Sequence, residues 1–318
     1  MRPVSCAGAR DAGPDTSLVY PQDAYEPDRR AQDFPEWTHP LGFIADTREI
    51  ADSRELLLNL VRRELRSKYK GTVLGWAWSL INPLATTAIF SLVFSTIMRV
   101  APPIGVNGLN NFPLFLLCGL LTWNFMAGAV QGGMGVLVGS ANLIKKTYFP
   151  RRLLVIATVI AGFVSYAIEM GVLVVVFLVF GVNVLPWIPL TLLIMVLLAF
   201  FCLGLALMLS VVNVYFRDTA YFISLIMQIW FYATPVIYPI SLVLRAQNGH
   251  SWASKLPIAT LYGINPMVGF VESIHDMFYM NQMPALEPIL YGLGLTIVLL
   301  WLGNRVFGKL ETRLAEEL

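Results

Sequence analysis

The chain has 318 residues, 57% of them hydrophobic and only 13% charged, with a mean hydropathy of +0.66. A soluble domain of this length carries about a quarter charged residues, so the composition excludes a soluble globular protein and points to an integral membrane one. A net charge of +2 says little by itself, because in a membrane chain the placement of cations matters more than their sum; no nucleic-acid partner is expected.

Residues 1–45 are rich in Pro, Asp, Arg and Gly with little apolar periodicity, the composition of a disordered tail. They hold no apolar signal-peptide core. An amphipathic interface helix is predicted within residues 46–71. In "DSRELLLNLVRRELRSKYK", residues 52–70, Leu57, Val61, Leu65 and Tyr69 make one stripe at the helical period, flanked by Leu58. Glu55, Asn59, Arg62, Arg63, Arg66 and Lys70 collect on the opposite face. Such a helix lies along a membrane surface, cations toward water or lipid phosphates. Asp52 followed by Glu55 suits a capping box at its start.

A hydrocarbon core about 30 Å thick needs roughly 20 apolar residues in helix. Within residues 72–318 six stretches qualify: Gly75–Met98, Phe112–Val138, Leu153–Phe180, Ile188–Val212, Ala220–Ile240 and Pro288–Phe307. None alternates with the period of a membrane barrel. The predicted class is an all-α integral membrane protein with six transmembrane helices. In "GAVQGGMGVLVG", Gly128 with Gly132 and Gly135 with Gly139 have the small-xxx-small spacing that favours close helix contact. Cys6, Cys118 and Cys202 are scattered and form neither a disulfide framework nor a metal site.

Cations fix the orientation. Arg62, Arg63, Arg66, Lys68 and Lys70 precede the first span. Lys145, Lys146, Arg151 and Arg152 join the second to the third, Arg217 joins the fourth to the fifth, and Arg305, Lys309 and Arg313 follow the last. The opposite side has Arg245, Lys255 and, at a span's edge, Arg99. The positive-inside rule places both termini and the loop "GSANLIKKTYFPRR" in the cytoplasm, where Arg151 and Arg152 serve topology. The long outer segment 241–287 is oily but broken. Asn265 before Pro266 is a helix start, a side-chain cap followed by a residue with no N–H to satisfy. Two short helices dipping into the outer leaflet are expected there.

Little in the chain suggests catalysis. "GNRVFGKL", residues 303–310, matches G-x-x-x-x-G-K, but it ends in Leu310 where a phosphate loop needs Ser or Thr, and it follows a membrane helix. Glu272, His275 and Asp276 share a helical face, which is expected to be solvated rather than catalytic or metal-binding. Glu169 is the one acid deep within a predicted span, and an intramembrane carboxylate is a functional hypothesis by default. It serves either a proton-driven flippase or, without an ionisable relay, a hydrogen-bonded structural role. Trp76, Trp78, Phe90, Phe94, Tyr221, Phe222, Trp230, Phe231, Tyr232 and Tyr238 crowd the first and fifth spans. Trp and Tyr at span ends anchor helices at the interface, whereas Phe and Trp at mid-depth suit stacking on sugar faces in a channel.

Four stretches in order, "LVRRELRSKYKGTVLGWAWSLINPL", "LIKKTYFPRRLLV", "NVYFRDTAYFISLIMQIWFYATPVIYP" and "YGINPMVGFVESIHDMFY", resemble the permease subunit of type-2 ABC transporters that export lipid-linked polysaccharides such as O-antigen and teichoic acid. The likeness covers roughly residues 50–315, and the wording of the motifs and the tail is most similar to mycobacterium-type galactan exporters.

The resemblance implies a homodimer of six-span permeases in the inner (plasma) membrane, with two copies of a separate ABC ATPase subunit beneath. ATP and Mg would be bound on that subunit, leaving no cofactor, metal or catalytic residue in this chain. It makes residues 139–147 a cytoplasmic coupling helix, with Asn142, Leu143, Ile144, Lys145 and Lys146 as ATPase contacts. It makes Arg62, Arg63 and Arg66 candidates for the diphosphate of a polyprenyl-linked glycan. Trp76, Phe90, Phe94, Phe222, Trp230 and Phe231 become candidate channel-lining residues at the dimer interface, with re-entrant outer half-helices before the last span. The rival readings are an exporter of another lipid-linked glycan or of a drug, and a membrane glycan-modifying transferase built on the Glu272–Asp276 face.

Overall fold

The computed structural model describes residues 53–99, 103–147, 149–243, 258–311 and 314–317. The tail expected over residues 1–45, Asp52, and the cations Arg245, Lys255 and Arg313 therefore lie outside the described residues. Among the described residues every regular element is helical. In chain order these are α1 (Arg54–Tyr69), α2 (Trp78–Phe90), α3 (Phe112–Gly139), α4 (Ala141–Lys146), α5 (Arg152–Val179) and α6 (Ile188–Tyr215). After them come α7 (Thr219–Tyr232), α8 (Ile258–Ile264), α9 (Pro266–Ile274), α10 (Leu286–Leu310) and α11 (Leu314–Glu317). Two helices run on as wider π-helical turns, α2 through Ser91–Ile97 and α9 through His275–Met280.

Five helices are long and apolar enough to cross a membrane: Ala77–Ile97, α3, α5, Leu185–Tyr215 and α10. They match five of the six predicted spans. The remaining one, Ala220–Ile240, is a continuous helix only as far as Tyr232, in the 14 residues of α7. At 1.5 Å per residue that is about 21 Å, short of a hydrocarbon core. Pro235 and Pro239 explain the break, because each removes a backbone donor and opposes helix through the preceding turn. The chain turns over residues 233–238 and is helical again at 240–243. The groups exposed by the break find partners within the protein, as a membrane interior demands. Tyr238 Oη donates to Tyr232 O at 2.7 Å, and Asn265 Nδ2 donates to Ala233 O at 3.1 Å.

α3 is the centre of the packing. Of its apolar stretch 78% is buried, against 11% for Ala77–Ile97 and 17% for α10, which are peripheral. α3 packs on α5 and α6, and α6 carries α10 on its far side. The α6–α10 contact is a backbone contact: a Cβ built on Gly303 would stand 2.4 Å from Gly204 O. A Cβ on Gly133 would stand 2.6 Å from Ala206 Cβ, where α3 meets α6. The predicted small-xxx-small pairs behave otherwise. Gly128, Gly135 and Gly139 face open space, and Gly132 meets only Thr158. Nearness of a partner helix, which spacing alone does not encode, decides the difference.

α1 buries Leu60 and Val61 and half-buries Leu57 and Leu65, while Arg62, Arg63, Arg66 and Lys70 are exposed. The predicted amphipathic face therefore forms over Leu57, Val61 and Leu65, with Leu60 in place of Leu58, and it packs against α5; the side chain of Tyr69 lies outside the described residues. Its N-cap is Ser53, without a side-chain capping bond. At the other end of the molecule α9 starts as its sequence suggests. Asn265 Oδ1 accepts from Met267 N at 3.0 Å, with Pro266 in the first turn. α9 is buried along nearly its whole length against α3 and α10.

Candidate functional site

α4 follows α3 after the single residue Ser140 and leads, through residues 147–151, into α5. Ser140 N donates to Val136 O at 2.9 Å, ending α3, and Ser140 O accepts from Leu143 N and Ile144 N at 2.9 and 3.1 Å, starting α4. The five coupling candidates divide across this short helix. Ile144 is buried and Leu143 half-buried against the core, whereas Asn142, Lys145 and Lys146 are exposed. Arg63 Nη2 donates to Ser140 Oγ at 3.3 Å and lies 3.8 Å from Glu64, so α1 is fastened to the α3–α4 corner. Of the three diphosphate candidates Arg63 is thus engaged in the corner, and Arg62 and Arg66 stand exposed beside it.

Arg151 and Arg152 do more than set topology. Arg152 is buried, donates to Asn304 Oδ1 at 2.9 Å, stands 3.5 Å from Glu311 Oε2, and lies over the Phe307 ring. Arg151 donates to Glu311 O, and Tyr215 Oη donates to Leu310 O at 3.0 Å. A helix leaves its last carbonyls without internal partners and favours cations there. Together these donors pin the end of α10 beside the α4–α5 junction. "GNRVFGKL" falls inside α10, so its N–H groups are tied up in the helix and cannot cradle a phosphate.

A groove runs between α2, α3 and α7. About midway along α3, Asn124 and Gln131 are exposed, as are Ser224 and Gln228 on α7. With Thr86, Phe90, Trp123 and Phe231 they line a space of about 350 Å³ in which no wall residue is ionisable. The rings form a continuous run: Phe94 stacks on Phe112, Phe90 lies 6.0 Å from Phe94 and 6.4 Å from Phe231, and Trp123 lies 5.4 Å from Phe231. Of the six channel-lining candidates, Phe90 and Phe231 line this groove, while Phe94 and Trp230 are ring neighbours behind its wall. Trp230 is turned inward, with Nε1 on Asn265 Oδ1 at 2.7 Å. Phe222 is 64% exposed outside the groove, and the side chain of Trp76 lies outside the described residues. Trp123, Asn124, Gln131 and Gln228 escaped the sequence reading. For Asn124, Gln131 and Gln228 the signal was a carboxamide inside an otherwise apolar helix; Trp123 carried none.

Glu169 is not isolated. It lines a cavity of about 810 Å³ between α1, α2, α3 and α5, shared with Glu64 and Lys68 of α1. Gly128 and Gly132 form part of the facing wall, which accounts for the space around them.

The Glu272, His275 and Asp276 face is not a solvated one. His275 is 2% exposed, stacks on Phe115 at 4.0 Å, and donates from Nε2 to Phe115 O at 3.0 Å. Its Nδ1 faces Glu272 Oε1 at 3.8 Å. The cause is the fully buried Val271, Ile274 and Met277 around it, which draw the segment against α3. Asp276 is half-buried, and burial pushes its carboxyl above the ordinary value, against the opposing effect of the 2.7 Å hydrogen bond from Gln282 Nε2. Among the described residues, no three His, Cys, Asp or Glu side chains are grouped closely enough to hold a metal ion.

Comparison with known proteins fits this arrangement of long apolar helices, a short helical corner between α3 and α5, and a broken segment before α10. The family described as ABC-2 type transporter matches residues 55–279, from α1 through the end of the π-helical turn after α9. An O-antigen export system permease protein RfbA of Myxococcus xanthus is 30% identical over 271 residues, covering 85% of this chain and 98% of that protein. Two proteins of the same name from Klebsiella pneumoniae are 31% and 30% identical, each covering 82% of this chain and 94% of its own length. With the family matched over most of its described helices and relatives aligned nearly end to end, the chain belongs to the ABC-2 type transporter family.

Proposed function

We propose that this chain is the permease subunit of an ABC exporter whose cargo is a polysaccharide carried on a polyprenyl diphosphate, with galactan as the cargo of first choice. The observation that carries the reading is the uncharged amide–aromatic groove between α2, α3 and α7. A polysaccharide is a neutral chain of hydroxyls and apolar ring faces. Carboxamides and hydroxyls at Thr86, Asn124, Gln131, Ser224 and Gln228 suit the former, and Phe90, Trp123 and Phe231 suit the latter. Such amides are costly against lipid, so the groove faces a second copy of the chain, with the glycan path between the two. The names of the relatives as O-antigen export permeases support the polysaccharide class. Galactan rests on the wording of the sequence motifs.

In this reading the chain is a transport subunit of the inner membrane with both termini in the cytoplasm. Each α4 offers Asn142, Lys145 and Lys146 to one of two ABC ATPase subunits, which bind ATP and Mg and do the hydrolysis. Arg62 and Arg66 on α1 meet the lipid diphosphate. The test is reconstitution with the copurifying ATPase in vesicles and measurement of ATP-driven movement of lipid-linked galactan. The double variant Gln131→Leu/Gln228→Leu should slow movement by about tenfold, the worth of one or two hydrogen bonds, with ATPase binding retained. Movement unaffected by both changes would remove the groove from the path, and stimulation by a different lipid-linked glycan alone would replace galactan as the cargo.

A further inference from the structure

The cavity that holds Glu169 adjoins the groove, sharing Asn124 and Ala127 of α3 with it, but its other walls differ. α2 gives it Trp78, Ser79, Asn82 and Pro83 rather than Thr86 and Phe90, and α5 supplies one whole side, from Thr158 to Glu169, whereas no α5 residue lines the groove. Its volume of about 810 Å³ is that of a ligand site. The small residues of α3 keep it open: a Cβ on Gly128 would meet nothing within 4 Å. The C-terminal turn of α1 brings Glu64 and Lys68 to its wall, so charges from an interfacial helix meet a carboxylate on a membrane-length helix in one hollow. Beside it α2 presents exposed apolar side chains, Leu84 and Ile89 among them. An occupant with a charged head and an apolar body matches this wall.

The signs of the charges narrow the chemistry. Two carboxylates face one ammonium, and although Arg63 approaches Glu64 at 3.8 Å, Glu169 keeps the hollow unfavourable to a polyanion such as a diphosphate. A head group that carries both an ammonium and a phosphate satisfies both signs, the former on a carboxylate by a charge-assisted hydrogen bond. We propose that this cavity binds the head group of a membrane phospholipid bearing a primary ammonium, with the ammonium on Glu169 and the phosphate toward Lys68. This rests on the cavity alone and is independent of the exporter's cargo.

The test uses the full-length chain in nanodiscs with equal parts of phosphatidylethanolamine, phosphatidylcholine and phosphatidylglycerol. Retained lipid is read by native mass spectrometry after transfer to detergent. Wild type should keep phosphatidylethanolamine over the other two by about tenfold, the worth of a charge-assisted hydrogen bond that a quaternary ammonium and a glycerol cannot reproduce. Glu169→Gln should erase the preference. Gly128→Leu, which fills the hollow from the facing wall without touching a charge, should erase it too, and Glu287→Gln in the first turn of α10 should leave it intact. As a second measurement, phosphatidylethanolamine should raise the thermal midpoint of wild type and not of either cavity variant, as a ligand specific to the folded state does. Equal retention of the three lipids, preference for phosphatidylglycerol, retention of none, or a preference that survives in Glu169→Gln would each overturn the proposal.

Discussion

The indole of Trp230 donates to Oδ1 of Asn265 across 2.7 Å, fastening the end of α7 to the first turn of α9. The same oxygen caps α9 by accepting from Met267 N at 3.0 Å, and Nδ2 donates to Ala233 O and Thr234 Oγ1, each at 3.1 Å. A carboxamide has two acceptor sites and two donors, and here all four are in use. One side chain thus serves both places where the membrane backbone breaks. Asn265→Asp keeps the acceptor but sets an oxygen against Ala233 O, and should cost about 2 kcal/mol of stability. Trp230→Phe keeps the packing against Trp123 and Phe201 and drops one hydrogen bond, for about 1 kcal/mol. Thermal unfolding in detergent reads both. Negligible shifts would mean that packing alone holds α7 to α9.

Ile144 and Lys145 are neighbours on α4 that face opposite ways, one buried and one exposed. Substitutions on this helix should therefore separate folding from partner contact. Ile144→Asp places a charge among core residues and should lower the yield of inserted protein and its thermal midpoint. Lys145→Glu with Lys146→Glu should leave both unchanged while the ATPase copurifying with the chain falls several-fold. The comparison needs only expression, melting and pull-down of the same three proteins. If the charge reversal leaves ATPase retention intact, α4 is a structural corner and not a docking element.

How much of this was legible in the sequence depends on distance along the chain. Hydropathy located every long helix, because burial of about 20 consecutive residues is a local property. The Asn265–Pro266 start and the amphipathic face of α1 were legible for the same reason. The break in the predicted fifth span was also present locally, in Pro235 and Pro239, but an average over 20 apolar residues passes across two prolines without registering lost donors. The groove was not legible. Asn124 and Gln131 belong to α3 and Gln228 to α7, and each looks incidental until packing sets them around one space. Likewise Lys68 and Glu169 become neighbours only because α1 packs back onto α5, and the His275 face looks solvated until α3 covers it.

Arg152 anchors α10 by shape as well as charge. Its guanidinium reaches Asn304, approaches Glu311 and lies over Phe307 at once, using the planar fork that an ammonium lacks. Arg152→Lys should therefore fail to rescue what Arg152→Ala loses. Each is expected to lower stability by about 2 kcal/mol, since Glu311 is partly open to solvent and its share is discounted. Limited proteolysis should show the chain beyond Leu310 cleaved faster in both variants. A lysine variant that melts like wild type would show that charge at the end of α10 is sufficient.

Asp276 gives a pH dependence with a definite sign. Burial raises its carboxyl pKa above the ordinary value in the folded chain, with the Gln282 amide opposing and the Glu272 charge adding to the rise. A carboxyl shifted upward on folding favours the folded state when protonated. That contribution is fully present below the unfolded value and is lost as pH rises through the folded one. At neutral pH the ionised group is therefore a small liability. An asparagine at this position would be a permanent stand-in for the neutral acid, able to accept from Gln282 Nε2 as Asp276 does at 2.7 Å. Asp276→Asn should raise the thermal midpoint at pH 7, and the gain should shrink toward zero as pH is lowered to about 4, the ordinary carboxylate range. Melting curves of both proteins across that interval decide it. A gain that persists undiminished at the acid end, or a loss at pH 7, would show that the carboxylate is held by interactions stronger than its burial penalty.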